Sequence, residues 1–148
     1  MEWAARKGHR EVVKTLIENK ADVNVGRPDG VTALNIAAQE GHTEVVRVLL
    51  SNSADVNASK YTDGVSPLFM AALKGHTEVV KLLLENNADV NASAHTGATP
   101  LYIASQNGHI EVMKLLLDNN ADVNTSRHTD GATVPRLCIL LLRKDMQM

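Results

Sequence analysis

The chain has almost no cysteine, and this scarcity excludes the structures that cysteines build in small proteins. Cys138 is the single cysteine among 148 residues, so the chain can form neither an internal disulfide framework nor a cluster of thiolate metal ligands. Long apolar runs are missing too: residues 137–142 (LCILLL) form a run of only six, whereas a membrane-spanning helix needs about 20 residues. We therefore expect an intracellular protein of the cytoplasm or nucleus that does not insert into membranes.

Charge of one sign and aromatic residues are scarce as well. The formal net charge is −2, with acidic and basic residues interspersed. We expect no nucleic acid partner, because such binding needs a concentrated basic face. Aromatic residues make up 3% of the chain and hydrophobic residues of all kinds 44%. This composition predicts a folded domain with a core of Leu, Val, Ile and Ala.

One phrase, by contrast, occurs four times. The stretch from Gly75 reads GHTEVVKLLLENNADVN, and close copies begin at Gly8, Gly41 and Gly108. The Gly-His pairs are separated by 33, 34 and 33 residues. Self-similarity at a fixed period of this length indicates a stacked array of structural repeats and not a set of independent domains.

Each repeat is predicted to contain two short helices. The first begins after a residue that can cap it, at Thr32, Ser66 and Thr99, since Ser and Thr side chains accept hydrogen bonds from the first turn. A glycine ends this helix, and the second helix follows the next His. Neither reaches the roughly 12–15 residues at which an isolated helix is stable in water. Each must therefore be buried against neighbouring repeats.

The segments between repeats carry turn signals. Asp-Gly or Thr-Gly pairs occur at 29–30, 63–64, 96–97 and 130–131, which predicts hairpin tips with a positive φ at each glycine. The segments after Asn57 and Asn124 are one residue longer than the others. A surface hairpin absorbs such an insertion easily.

A repeat of about 33 residues with a turn, two helices, Thr-Pro-Leu at 99–101, Ala-Ala, Gly-His and Ala-Asp-Val-Asn resembles the ankyrin repeat. The resemblance covers residues 1–133. It implies a mainly α fold, an ankyrin-repeat solenoid of stacked helix-turn-helix units with connecting β-hairpin loops. It also implies a non-catalytic array, without cofactor, whose concave face of hairpins and inner helices binds other proteins.

We expect residues 1–148 to form a single array with five parts. These are a truncated first repeat, three full repeats and a degenerate or frame-slipped fifth repeat, at 1–24, 25–57, 58–91, 92–124 and 125–148. The fifth is inferred because some tail codons, read in another frame, can encode ankyrin residues; a natural capping helix is the alternative. The chain is accordingly expected to be a fragment of a larger ankyrin-repeat protein.

The expected function is that of a scaffold for another protein, whose identity the sequence does not give. Two alternatives stay open. The array could be the regulatory or targeting portion of an enzyme or channel. It could also be a structural spacer that self-associates through uncapped ends, since Trp3, Val12 and Leu16 are expected to be exposed on the first repeat.

Two positions depart from the family pattern. The family usually has Gly before Ala-Asp-Val-Asn, where a helix ends with positive φ, and this chain has Lys20, Ser53, Asn87 and Asn120. We expect these residues to adopt the left-handed conformation, which Asn tolerates better than Lys or Ser. The family usually has His after Thr-Pro-Leu, and here that position holds Asn35, Phe69 and Tyr102.

The repeated histidines and aspartates do not predict chemistry. Stacked repeats place equivalent residues about 10 Å apart, whereas zinc needs its ligands about 2 Å from one ion. We therefore predict no metal site and no catalytic residues. His9, His42, His76 and His109 are instead expected to hydrogen-bond backbone where the two helices meet.

The candidate partner-binding residues are those that differ between repeats on the hairpins and inner helices. They are Arg27, Asp29, Asn35, Gln39, Lys60, Tyr61, Asp63, Phe69, Leu73, Lys74, His95, Tyr102, Gln106, Arg127 and His128. Aromatic anchors ringed by polar groups concentrate binding energy, and Tyr61, at an inserted hairpin position, is the strongest candidate. Phe69 and Tyr102 have an alternative role, packing between repeats.

The resemblance also implies a modification. The asparagine that closes each Ala-Asp-Val-Asn block matches a residue that is hydroxylated in similar proteins. The corresponding positions here are Asn24, Asn57, Asn91 and Asn124. We list them as candidate hydroxylation sites.

Overall fold

The computed structural model describes residues 1–60 and 62–124. Tyr61, Arg127 and His128 and the proposed fifth repeat at 125–148 lie outside the described residues. The described part contains eight helices and no strand. They are α1 (Glu2–Lys7), α2 (Arg10–Glu18), α3 (Ala33–Glu40), α4 (Thr43–Ser51), α5 (Pro67–Lys74), α6 (Thr77–Glu85), α7 (Pro100–Gln106) and α8 (Ile110–Asp118).

The helices stack in two layers. We call α1, α3, α5 and α7 the inner helices and the other four the outer helices. Each inner helix contacts the next inner helix, each outer helix contacts the next outer helix, and the two helices of one repeat contact each other. The mainly α repeat solenoid predicted from the sequence is therefore confirmed.

The predicted caps start three inner helices. The hydroxyl oxygens of Thr32, Ser66 and Thr99 accept hydrogen bonds from backbone N–H groups three residues ahead, at 3.3, 3.2 and 3.2 Å. Pro67 and Pro100 occupy the first position of α5 and α7, where no helix hydrogen bond is lost. Local chemistry thus fixes where each of these helices begins.

The core is aliphatic, as the composition predicts. Leucines at one position of the inner helices and another of the outer helices are at most 1% exposed: Leu34, Leu68, Leu101, Leu49, Leu83 and Leu116. Burying such a side chain contributes about 1.5–3 kcal/mol. Alanines such as Ala37 and Ala71, both 0% exposed, let adjacent inner helices approach closely. Contacts between repeats therefore supply the stability that helices of six to nine residues cannot supply alone.

The loops close with hairpin-like hydrogen bonds. Arg27 N–H donates to the Val31 carbonyl at 2.9 Å, and Gly30 N–H donates to the Arg27 carbonyl at 2.8 Å. In the following loop the Gly64 N–H donates to the Lys60 carbonyl at 2.8 Å, so this turn encloses one residue more. The inserted residue is absorbed at the tip without disturbing the flanking helices.

Lys20, Ser53, Asn87 and Asn120 all have positive φ, between 63° and 66°, as predicted. In the first case the Lys20 N–H donates to the Ile17 carbonyl at 2.8 Å and the Ala21 N–H donates to the Leu16 carbonyl at 3.0 Å. This pair of bonds satisfies the last carbonyls of the outer helix and requires a left-handed residue between them. The geometry holds even where the side chain disfavours it.

Lys20→Gly and Ser53→Gly are each expected to raise the free energy of unfolding by about 0.5–1 kcal/mol, because glycine adopts the left-handed conformation without strain. Asn87→Gly is the control and should change stability less, because asparagine already tolerates positive φ. Urea unfolding followed by circular dichroism measures the difference. A lower stability of both glycine variants would contradict the prediction.

Ser105 gives a second test of the packing between inner helices. Its hydroxyl is buried and has no hydrogen-bond partner among the described residues. The equivalent residues in the other repeats are alanines that are 0% exposed: Ala5, Ala38 and Ala72. Ser105→Ala should therefore raise stability by about 1 kcal/mol, since an unsatisfied buried hydroxyl is removed.

Ser66→Ala is the matched control for this substitution. The Ser66 hydroxyl oxygen caps α5, so its removal should lower stability by about 1 kcal/mol. Thermal and urea unfolding of the two variants should shift in opposite directions. Shifts of the same sign would show that the Ser105 hydroxyl is satisfied in solution.

Candidate protein-binding surface

Histidines lock each repeat to the one before it. The Nε2 atoms of His42, His76 and His109 lie 2.9, 2.9 and 3.0 Å from backbone carbonyl oxygens of the preceding inner helix, at Arg6, Gln39 and Leu73. A carbonyl can only accept, so Nε2 carries the proton in each ring. The predicted backbone hydrogen bond is thus confirmed for these three, and it crosses from one repeat to the next.

The glycines beside these rings leave room for them. A Cβ atom placed on Gly41 would lie 2.6 Å from the His76 ring, and one on Gly75 would lie 2.6 Å from the His109 ring. Real Cβ atoms do not approach so closely, and both glycines also have positive φ. Glycine is therefore required here for close approach as well as for ending the helix.

A ladder of asparagines joins the repeats along another edge. Backbone N–H groups of Asp55, Asp89 and Asp122 donate to the side-chain oxygens of Asn24, Asn57 and Asn91 at 2.7, 2.9 and 2.8 Å. The aspartate side chains in turn accept from the asparagine N–H two residues on, as Asp22 does from Asn24 at 2.8 Å. Both repeated polar residues thus stabilise the stack. All four asparagines, including Asn124, are exposed, and their hydroxylation stays a prediction.

The hairpin tips carry charged side chains in exposed ion pairs. The Arg27 guanidinium lies 3.7 Å from the Asp29 carboxylate and 3.9 Å from that of Glu2. The Lys60 ammonium lies 3.6 Å from the Asp63 carboxylate. Exposed pairs of this kind contribute only about 0–1 kcal/mol. A partner protein can therefore recruit these charges at little cost to the fold.

Adjacent tips are also tied together. The His95 N–H donates to the Asp63 carbonyl at 2.8 Å. The His95 ring lies against Gly64, where a Cβ atom would come within 2.6 Å of it. The tips of the third and fourth repeats therefore have a fixed spacing, which favours them as one recognition surface.

The ends of the inner helices add a second row beside the tips. Gln39 and Leu73 are half-buried, and Lys74 and Gln106 are exposed. Leu73 occupies the position that Arg6, Gln39 and Gln106 hold in the other repeats, so it is the apolar member of a polar row. We call the tips and this row together the recognition face: Arg27, Asp29, Gln39, Lys60, Asp63, Leu73, Lys74, His95 and Gln106.

Three predicted contact residues do not belong to this face. Asn35, Phe69 and Tyr102 are only 3, 8 and 6% exposed, so they cannot contact a partner while the array is folded, and the prediction is corrected for them. All three lie at the same position, three residues after the cap of an inner helix. Phe69 and Tyr102 join the hydrophobic core, which is the packing role left open above.

Asn35 shows what that position does. Its side-chain oxygen accepts from the Thr32 N–H at 2.9 Å, and its side-chain nitrogen donates to the Ala58 carbonyl at 2.9 Å. The side chain therefore caps its own helix and reaches the loop of the next repeat. A signal for this burial was available in the sequence, because the position follows the capping Thr or Ser at the spacing of a capping box.

A polar cleft of about 330 Å3 lies between the loops of two repeats, with Asn24, Thr32, Asp55 and Asn57 in its wall. Asn24 and Asn57 are engaged in the ladder described above. Within residues 1–60 and 62–124 no three His, Cys, Asp or Glu side chains are grouped so that they could hold a metal ion. In the same residues no helix is long and apolar enough to span a membrane.

The histidine contact can be tested by comparing equivalent histidines. His76→Ala should lower the free energy of unfolding by about 1–2 kcal/mol, because it removes a hydrogen bond and leaves a void above Gly41. His9 is exposed and contacts Trp3, with ring centroids 5.1 Å apart. His9→Ala should cost less than about 0.5 kcal/mol. Equal losses in the two variants would exclude an inter-repeat role for His76.

Comparison with known proteins agrees with this architecture. A family model described as ankyrin repeats (3 copies) matches residues 1–60 and 58–127, which together span most of the chain. A search of curated proteins finds no match.

Proposed function

The chain belongs to the ankyrin repeat family, and we propose that it is a non-catalytic scaffold that binds a partner protein on the recognition face. Repeats of this family generally mediate protein–protein interaction. In the family the hairpins and inner helices form the concave side of the solenoid, and the recognition face has the same elements. The observation that carries the proposal is the division of the surface between residues that recur and residues that vary.

The recurring polar residues are engaged within the array. The histidines bond the preceding repeat, and the asparagines bond the following one. The residues of the recognition face differ from repeat to repeat, and no inter-repeat side-chain hydrogen bond involves Arg27, Lys60 or Lys74 among the described residues. Their side chains are therefore available for a partner.

Leu73 is the proposed anchor of this face. It is a half-buried apolar side chain surrounded by Gln39, Lys74 and Gln106, and an apolar centre within a polar rim is how interfaces concentrate binding energy. Tyr61 remains a proposed anchor from the sequence. The face carries both signs of charge, which favours a protein partner over nucleic acid.

The rigidity of the face supports the same function. The tips are joined through His95 and Asp63, and the inner helices are joined through the histidine bonds. A partner would meet side chains whose backbone is already ordered, so binding loses little conformational entropy. We place this scaffold in the cytoplasm or nucleus on the ground of its single cysteine.

The test exchanges one repeat's helix end for another's. Leu73→Gln with Lys74→Glu gives the third repeat the Gln-Glu pair that the second repeat has at 39–40, so the fold should tolerate it. Partners captured from cells that express the protein are identified by mass spectrometry and then titrated in purified form. We expect binding at least about tenfold weaker, or about 1.4 kcal/mol, and a further loss on adding Tyr61→Ala.

The matched control reverses charges on the outer helices. Glu78→Lys with Lys81→Glu alters two exposed residues of α6, and it should leave the affinity unchanged. Thermal unfolding should be the same for both double variants. The proposal fails if the affinity is insensitive to the Leu73 and Lys74 changes, or if the α6 control weakens binding equally.

A further inference from the structure

The first repeat exposes side chains that the other repeats bury. Val12 is 44% exposed, whereas the valines at its position in the later repeats are 0, 0 and 1% exposed: Val45, Val79 and Val112. Trp3 is 62% exposed, and Ile36 at its position in the second repeat is 4% exposed. The difference arises because each later repeat has a neighbour stacked on this side. We call Trp3, Val12 and Leu16 the leading face.

The leading face also presents hydrogen-bond donors without acceptors. The imidazole nitrogens of His9 make no hydrogen bond within the described residues, whereas His42, His76 and His109 each bond a preceding carbonyl. The backbone N–H of Asp22 likewise has no acceptor there, whereas those of Asp55 and Asp89 donate to preceding asparagines.

The opposite end of the described array presents the complementary groups. A Cβ atom on Gly108 would have nothing within 4 Å, whereas those on the other glycines of this series would meet a histidine ring. The carbonyl oxygen of Gln106 and the side-chain oxygen of Asn124 receive no donor among residues 1–60 and 62–124. Ile110, next to this glycine, is 52% exposed. We call Gln106, Gly108, Ile110 and Asn124 the trailing end.

We propose that two copies of this chain associate head to tail, with the leading face of one on the trailing end of the other. The contact repeats the one inside the array: the His9 ring lies over Gly108, its Nε2–H donates to the Gln106 carbonyl, and the Asp22 N–H donates to the Asn124 side-chain oxygen. Trp3 and Val12 are buried in the process, which supplies the hydrophobic driving force.

The occupant of the leading face follows from the donors on it. Two leading faces placed against each other would bring His9 and Asp22 donors toward donors, with no acceptor for either. A trailing end offers acceptors at the same relative positions as the internal repeats do. The association is therefore heterologous, so it forms open chains of copies and not a closed dimer. It uses surfaces separate from the recognition face, apart from the Gln106 backbone.

Sedimentation velocity of the full chain at increasing concentration tests the association. We expect the mean mass to rise with concentration and to pass that of a dimer. Val12→Glu disables the leading face, and Ile110→Glu with Asn124→Ala disables the trailing end. Each of these changes lies at an exposed position, so each variant should fold normally. Alone, each should associate at least about tenfold more weakly than the unchanged chain.

Mixing the two variants gives the decisive result. Each retains one intact end, so the equimolar mixture should form a one-to-one complex that neither variant forms by itself. Lys81→Glu on the exposed side of α6 is the control and should self-associate like the unchanged chain. A chain that stays monomeric at every concentration overturns the proposal. So does a trailing-end variant that still dimerises, which would mean leading face on leading face, or a mixture that forms no complex.

Discussion

The fold depends on the contact between each histidine and the glycine turn of the repeat before it. His76 and His109 each place a ring where a Cβ atom would otherwise lie, and each donates to a backbone carbonyl. The glycine and the histidine belong to different repeats, so neither can change without affecting its neighbour. This explains why Gly-His recurs at every step of the array, although the pair has no chemistry of its own. Helices of six to nine residues remain ordered only because such contacts bind them together.

This constraint separates stability from recognition. The residues that recur are those that join one repeat to the next, as Asn57 does by accepting from the Asp89 N–H. The hairpin tips are tied by backbone bonds, such as that from His95 to the Asp63 carbonyl, which do not depend on side-chain identity. Tip side chains can therefore vary without loss of fold. A partner-binding surface can be remodelled in one repeat while its neighbours keep their geometry.

The sequence predicts the parts of this structure that local chemistry determines. The caps at Ser66 and Thr99 and the positive φ at Lys20 follow from residues close in the chain, and the structure confirms them. The exposure of Phe69 was not predictable in this way, because it depends on how closely a neighbouring inner helix approaches. The bond from Asn35 to Ala58 spans 23 residues, and no local pattern encodes its partner. The surface was thus predicted in outline, while its aromatic centre was wrong.

The stack also has a direction, which the helices alone do not show. Every bond between histidine and carbonyl runs from a later repeat to an earlier one, and the aspartate N–H groups donate in the same sense. Translating one repeat along the array therefore always presents donors on one side and acceptors on the other. The two ends of any run of such repeats are chemically unlike, and each is complementary to the other. A single residue at an end, such as Trp3 where the second repeat has Ile36, alters how much apolar surface is exposed but not this polarity. Polarity of this kind permits unlimited lengthening by the same contact, so the length of the array must be limited by what covers its ends.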